Sequence, residues 1–179
     1  TFPSAVWIAR SKGVDIHTVG SGNPGASNIA RTFGTPWGVL VFVLDGLKGA
    51  IPAAVGLLVD DRPLAYAMVG AAVLGHMFPI TRRFKGGKGV ATMGGASFVL
   101  QPLISFGMLL LWIVVRKLTK KASLASLAIM IGYPVCVAIV GAPGWEIVAI
   151  LAINGLVLAR HGENIKRLVR GRELSAGKG

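Results

Sequence analysis

Acidic side chains are scarce in this 179-residue chain: seven Asp+Glu stand against nineteen Lys+Arg, a net charge of +12 at pH 7. Charged residues of both signs reach only 15%, against about 25% in ordinary globular proteins. So few charges cannot clothe a soluble surface. The shortage of carboxylates also argues against a cage for Mg²⁺, and so against nucleotide hydrolysis or metal-dependent phosphotransfer. Cysteine occurs once, as Cys136 inside an apolar run, so no intramolecular disulfide can form. No basic segment leads into a short apolar stretch with a cleavage site, so no signal peptide is expected. What is plentiful is apolar: 53% of residues are hydrophobic and mean hydropathy is +0.67. The cations sit in clumps between apolar runs, not over a polar surface, which argues against nucleic acid as a partner. The expectation is one all-α polytopic membrane domain over residues 1–179.

A membrane-spanning helix needs about 20 mostly apolar residues. Residues 63–81, 89–115 and 122–145 carry no charge. Residues 37–59, interrupted by Asp45 and Lys48, and 146–159 come close. The opening TFPSAVWIAR reads as the last turns of a span that begins upstream. Residues 89–115 as one helix would measure about 40 Å, too long for a core of about 30 Å. Gln101-Pro102 falls near its middle, and proline ends or kinks a helix there. Splitting the run gives one half-length helix and seven expected spans: 1–10 (truncated), 37–59, 63–80, 88–100, 102–118, 122–141 and 145–160, with a basic tail over 161–179. The loops over 10–31, 82–88 and 116–121, and the segment 160–178, then share one side, which carries seventeen of the nineteen cations. The positive-inside rule makes that side cytoplasmic and the N-terminus external.

Three cytoplasmic segments stand out: GSGNPGASNIAR (20–31), RRFKGGKGVATMGG (82–95) and ARHGENIKRLVRGRE (159–173). Glycine clusters let successive backbone N–H groups turn towards one anion. Gly20, Gly22 and Gly25, with Ser21, Asn23, Ser27 and Asn28, suit a loop around phosphate oxygens, and Arg31 suits a bidentate clamp. Gly86, Gly87 and Gly89 flank Lys88 and open the half-length helix, whose N-terminal N–H groups add to the ammonium charge. In the third segment Asn164 follows His161 by three residues, on one helical face. A neutral imidazole there would act as a base or hold a hydroxyl. His17 reads as solvated and His76 as a structural hydrogen-bonding group. Asp45 and Lys48, one turn apart inside a span, each cost about 2.5–3.5 kcal/mol unpaired, so they pair or face the bundle interior. Cys136 and the methionines read as packing. Residues 20–25 match G-x-G-x-x-G, but no βαβ unit surrounds them. Lys88 is followed by Gly89 where a P-loop needs Ser or Thr.

Together GSGNPGASNIAR, the KGGKG–GVAT stretch (85–92) and HGENIKRL (161–168) resemble the bacterial acyl-phosphate:glycerol-3-phosphate acyltransferase family (PlsY-type). The resemblance runs over nearly the whole chain and departs mainly at Ser27, where threonine is usual. It implies a multi-pass enzyme of the bacterial inner (plasma) membrane with its active site facing the cytoplasm. That enzyme transfers a fatty acyl group from acyl phosphate to the 1-hydroxyl of sn-glycerol 3-phosphate, starting phospholipid synthesis. The implied products are lysophosphatidic acid and inorganic phosphate, with no metal and no cofactor. By the same resemblance Ser21, Arg31, Lys88, His161 and Asn164 are functional and Glu163 is structural. The His-x4-Asp signature of soluble acyltransferases is absent, since Gly22, Thr81 and Lys166 stand at the fifth place after the three histidines. Direct transfer without an acyl-enzyme follows, with His161 or the donor phosphate accepting the hydroxyl proton. The rival readings are a transporter or channel for a phosphorylated metabolite, using Asp45–Lys48 as its polar path, and a scaffold with a basic face for anionic lipid.

Overall fold

The structure is a computed structural model and describes residues 2–175; Thr1 and the end of the basic tail, with Lys178, lie outside it. The described residues form nine α-helices and a single 3₁₀ turn, with no strand. Helix α1 (Ser4–Ser11) is short and leads through a turn-rich segment into α2 (Ala26–Phe33), then α3 (Thr35–Leu58). Helix α4 (Arg62–Met77) starts where Asp61 accepts from the Leu64 N–H at 2.8 Å and Pro63 occupies the first turn, where no donor is needed. Helix α5 (Val90–Leu100) ends one residue before Gln101, and α6 (Pro102–Thr119) starts at the proline. Helix α7 (Ala122–Ile139) and α8 (Gly144–Ala159) follow, and α8 bends by 63° into α9 (Gly162–Val169).

Among the described residues four helices are long and apolar enough to cross a membrane: α3, α4 with its 3₁₀ extension, α6 and α7; α8 with α9 makes a fifth if the bent pair is one span. Helix α1 has 8 residues and α5 has 11, so neither has the length of a full span on its own. Exposed positions of the long helices are apolar in the way lipid requires: Leu103 on α6 is 88% exposed, and Ile139 and Ile131 on α7 are 78% and 70%. The core lies between α4, α5, α7 and α8, around Val69, Val73, Met77, Ala96, Val137, Ile150 and Val157. A smaller cluster, including Ala9, Ile16, Ile29 and Val41, ties α1 and α2 to the start of α3.

Small residues let α5 sink into this bundle. A Cβ on Gly49 would run into the Thr92 carbonyl, and one on Gly95 into the Gly46 backbone. Such contact lets helix backbones approach closely, as membrane helix pairs do. Although short, α5 connects two ends of the molecule. Its start adjoins Gly86 and Gly87, whose carbonyls accept from Arg160. At its far end the Leu100 carbonyl accepts from Arg62 at 3.2 Å. There Arg62 pairs with Glu146 at 2.5 Å, and Glu146 also accepts from Tyr66 at 2.9 Å and Gln101 at 3.3 Å.

Asp45 and Lys48 do pair, at 2.5 Å, and Asp45 is 2% exposed. Ser4 donates to the same carboxylate oxygen, and His76 Nδ1 lies 4.0 Å from it. The charges are neutralised where they stand, between α1, α3 and α4.

Candidate active site at the cationic end of the bundle

Asn28 organises the first glycine segment. Its Oδ1 accepts from the Ser21 N–H at 2.9 Å and from Arg31 Nη1 at 3.2 Å, while Nδ2 donates to the Val19 and Ile16 carbonyls. Gly20 and Gly22 take positive φ (+58° and +67°), and a Cβ on Gly20 would strike the Asn28 side chain. His17, read from the sequence as merely solvated, places Nδ1 3.2 Å from the Gly22 carbonyl and braces the turn. The loop differs from the anion nest that its glycines suggest. The N–H groups of Ser21, Gly22, Asn23 and Gly25 all donate to acceptors on residues 19–28. The cavity is lined here by Ser21, Asn23, Gly25, Ser27, Asn28 and Arg31. Gly20 and Gly22 shape the loop from behind.

The second segment is pinned from two sides. The Gly87 N–H donates to the His76 carbonyl at 3.2 Å, and Arg160 donates to Gly86 O at 3.0 Å and Gly87 O at 3.3 Å. A Cβ on Gly87 would meet the His76 ring. Gly86 and Gly87 therefore form the seat, lining a small second pocket beside Asp45 and Lys48, while Lys88 and Gly89 face the main cavity. Gly89 (φ +87°) caps α5, so Lys88 belongs to the loop ahead of the helix. The Lys88 ammonium donates to Asn164 Oδ1. Burial, aided by the Arg167, Arg160 and Arg31 cations, outweighs the attraction of Glu173 and lowers the Lys88 pKa to about 8.

His161 sits in the bend between α8 and α9 and is 2% exposed. Its Nδ1 lies 2.7 Å from the Val157 carbonyl, an acceptor, so Nδ1 carries the hydrogen and Nε2 is left as a bare acceptor. Burial, with the Lys88 cation, outweighs that hydrogen bond and lowers the His161 pKa to about 4, so the ring is neutral near pH 7. Asn164 Nδ2 donates to Glu173 Oε1 at 2.6 Å; Glu173 also accepts from Ser123 at 2.9 Å and Arg167 at 2.9 Å. Arg31 Nε donates to the Ser175 carbonyl at 2.8 Å. Glu163 is turned away and pairs with Lys166 at 2.9 Å on the exposed face of α9.

The structure thus brings Ser21, Asn23, Gly25, Asn28, Arg31, Lys88, Gly89, His161 and Asn164 to one cavity of about 370 Å³. Its polar end opens into an apolar part lined by Phe42, Phe98, Met108, Leu109, Trp112 and Met130, so one chamber offers both a cationic and a hydrocarbon-like environment. Sequence reasoning missed Ser123, Ser126, Arg160 and Glu173. Ser123 and Ser126, three apart at the start of an apolar helix, carried a faint signal; the fold around Glu173 carried none.

The family model described as glycerol-3-phosphate acyltransferase matches residues 1–171. A glycerol-3-phosphate acyltransferase of Aquifex aeolicus is 42% identical over 169 residues, covering 93% of this chain and 88% of that protein. The crystal structure of PlsY (YgiH), an integral membrane glycerol 3-phosphate acyltransferase, in its glycerol 3-phosphate form superposes with a TM-score of 0.90 at 40% identity, covering 97% of this chain and 89% of that one. Its lysophosphatidic acid form gives 0.88, also at 40% identity, over 96% and 86%. Three motif segments folded into one chamber and similarity of this extent lead to one conclusion: the chain belongs to the glycerol-3-phosphate acyltransferase family.

Proposed function

We propose that this protein transfers a fatty acyl group from acyl phosphate to the 1-hydroxyl of sn-glycerol 3-phosphate, releasing lysophosphatidic acid and inorganic phosphate. The observation that carries this reading is the single cavity in which Arg31, Lys88, His161 and Asn164 adjoin an apolar channel. Both substrates bear phosphate and one bears a long chain, which is the pairing such a chamber suits. The related structures described in glycerol 3-phosphate and lysophosphatidic acid forms support the acceptor and the product.

The hydroxyl oxygen attacks the acyl carbonyl carbon, the new ester C–O bond forms, and the C–O bond to phosphate breaks with its electrons passing to the phosphate. Phosphate is already a good leaving group, so positioning and charge stabilisation carry most of the work. Arg31 and Lys88 bind the two phosphates, Ser21 orients a substrate oxygen and Asn164 holds Lys88. His161 accepts the hydrogen bond of the attacking hydroxyl at Nε2. Its low pKa makes it a weak base, so the proton passes to the departing phosphate, which gains negative charge as the C–O bond breaks and leaves as hydrogen phosphate. No acyl-enzyme is formed and no metal is used. The cation-rich end faces the cytoplasm of a bacterial inner membrane and the N-terminus lies outside. The course of α5 from the cationic end to the Arg62–Glu146 cluster supports seven crossings.

The test uses purified protein in lipid with labelled glycerol 3-phosphate and palmitoyl phosphate, and palmitoyl-CoA in a parallel reaction. Labelled lysophosphatidic acid from the phosphate donor alone, without added metal, is the expected result. Product from palmitoyl-CoA would overturn the donor. No product, with labelled solute crossing proteoliposomes, would establish the transporter reading instead.

A further inference from the structure

Two carboxylates line the cavity, Asp45 and Glu173. Asp45 is neutralised by Lys48. Glu173 stands instead among the groups that the proposed reaction assigns to substrate. Its side chain is 4% exposed and accepts from Asn164, Ser123 and Arg167, with Lys88 and Arg31 close enough for their charges to be felt. Asn164 thereby bridges a cation and an anion, its Oδ1 on Lys88 and its Nδ2 on Glu173. The segment carrying this carboxylate is not helical. It leaves α9 through Gly171 at φ +66°, and it is held by Arg31 on the Ser175 carbonyl and by the Arg172 N–H on the Arg167 carbonyl. Glu173 also lies two residues beyond the part of the chain that the family model matches.

A phosphate dianion bound by Lys88 and Arg31 would share a poorly solvated pocket with this carboxylate. Like charges so placed repel strongly, because little water screens them. The donors are also limited: an Asn164 Nδ2 or a Ser123 hydroxyl spent on Glu173 is not available to a phosphate oxygen. We propose that Glu173 sets the affinity of this site: its carboxylate competes with the substrate phosphate for the same donors, and substrate binding displaces residues 171–175 about Gly171. The proposal deepens the acyltransferase reading and rests on it for the identity of the anion.

The test measures binding and turnover separately, with the full chain in lipid nanodiscs. Inorganic phosphate is titrated calorimetrically into the wild type, Glu173→Gln and a variant ending at Arg172, and KM for glycerol 3-phosphate is measured on each. Phosphate binding at least tenfold tighter in both variants, with KM lowered by a similar factor and kcat within about threefold of wild type, is expected. Unchanged or weaker phosphate binding with a raised KM would overturn it and make Glu173 a group that organises Asn164. Turnover in all three proteins with no difference in phosphate affinity defeats the competition and leaves the acyltransferase standing. Tighter phosphate binding in the variants without turnover in any protein keeps the competition and removes the acyltransferase reading.

Discussion

The Lys88 ammonium donates to the Asn164 side-chain oxygen across 76 residues of sequence. That contact joins the loop ahead of α5 to the first turn of α9, and it makes two distant segments one site. Arg160, immediately before His161, fastens the same loop from behind through the Gly86 and Gly87 carbonyls. One stretch of chain at the α8–α9 bend therefore positions both the candidate cation and the candidate acceptor of the hydroxyl.

Replacing Lys88 with Ala removes the cation and leaves Asn164 Oδ1 without its donor. The expected loss is about 10²–10³ in kcat/KM, the size seen when one preorganised charge-stabilising donor is removed. Lys88→Arg keeps the charge but presents a wider, planar group to a single amide oxygen, and should recover only part of it. Steady-state kinetics with glycerol 3-phosphate checks both. A Lys88→Ala enzyme within threefold of wild type would remove Lys88 from the chemistry.

The pKa of Lys88 near 8 gives a pH dependence with a definite sign. The ammonium is charged below that value and neutral above it, so kcat/KM, which reports the free enzyme, should fall as pH rises through about 8. The bound phosphate stabilises the ammonium and should move the corresponding limb in kcat to higher pH. An acid limb near pH 6 belongs to protonation of the substrate phosphate. His161 gains its proton only near pH 4 and adds no limb in the neutral range. In Lys88→Arg the alkaline limb should vanish, and its persistence there would assign it to another group.

Any contact of His161 with substrate falls to Nε2, since Nδ1 is committed to the Val157 carbonyl. His161→Ala removes the hydroxyl's acceptor without touching either candidate phosphate cation. The expected outcome is a kcat lower by about 10²–10³, the size seen when one positioned hydrogen-bonding partner of the transition state is lost, with KM for glycerol 3-phosphate little changed. A raised KM at constant kcat would instead make His161 a binding group.

Different parts of this arrangement were legible in the sequence to different degrees. The break at Gln101-Pro102 was readable because proline carries its own geometry, and α6 begins at Pro102. The pairing of Asp45 with Lys48 was readable because membrane burial leaves two charges one turn apart few other outcomes. The convergence of Arg31, Lys88, His161 and Asn164 was suggested by glycine and cation patterns lying on one face. The direction of the loop N–H groups was not readable. Glycine permits a nest, but the Asn28 amide and the His17 ring, brought in from outside the glycines, decide where the donors turn. Glu173 was invisible for a related reason. Its place beside Asn164 depends on a 63° bend and a positive-φ glycine, and neither has a signature that fixes where the following residues go.

The Arg62–Glu146 cluster lies at the far end of α5 from the site, and its prediction separates stability from catalysis. Glu146 is 2% exposed and accepts from Arg62, Tyr66 and Gln101. Arg62→Ala leaves this carboxylate without its cation, and breaking a buried pair by removing one partner costs about 3–5 kcal/mol. The Arg62 side chain is 35% exposed, so the low end of that range applies. Adding Glu146→Gln removes the stranded charge and should restore much of the loss, a coupling that a double-mutant cycle measures. Thermal unfolding in detergent should show a lowered Tm for Arg62→Ala and recovery in the double variant, with kcat per folded molecule within threefold of wild type throughout. Activity lost at an unchanged Tm would mean that α5 transmits the state of this cluster to Lys88 at its other end.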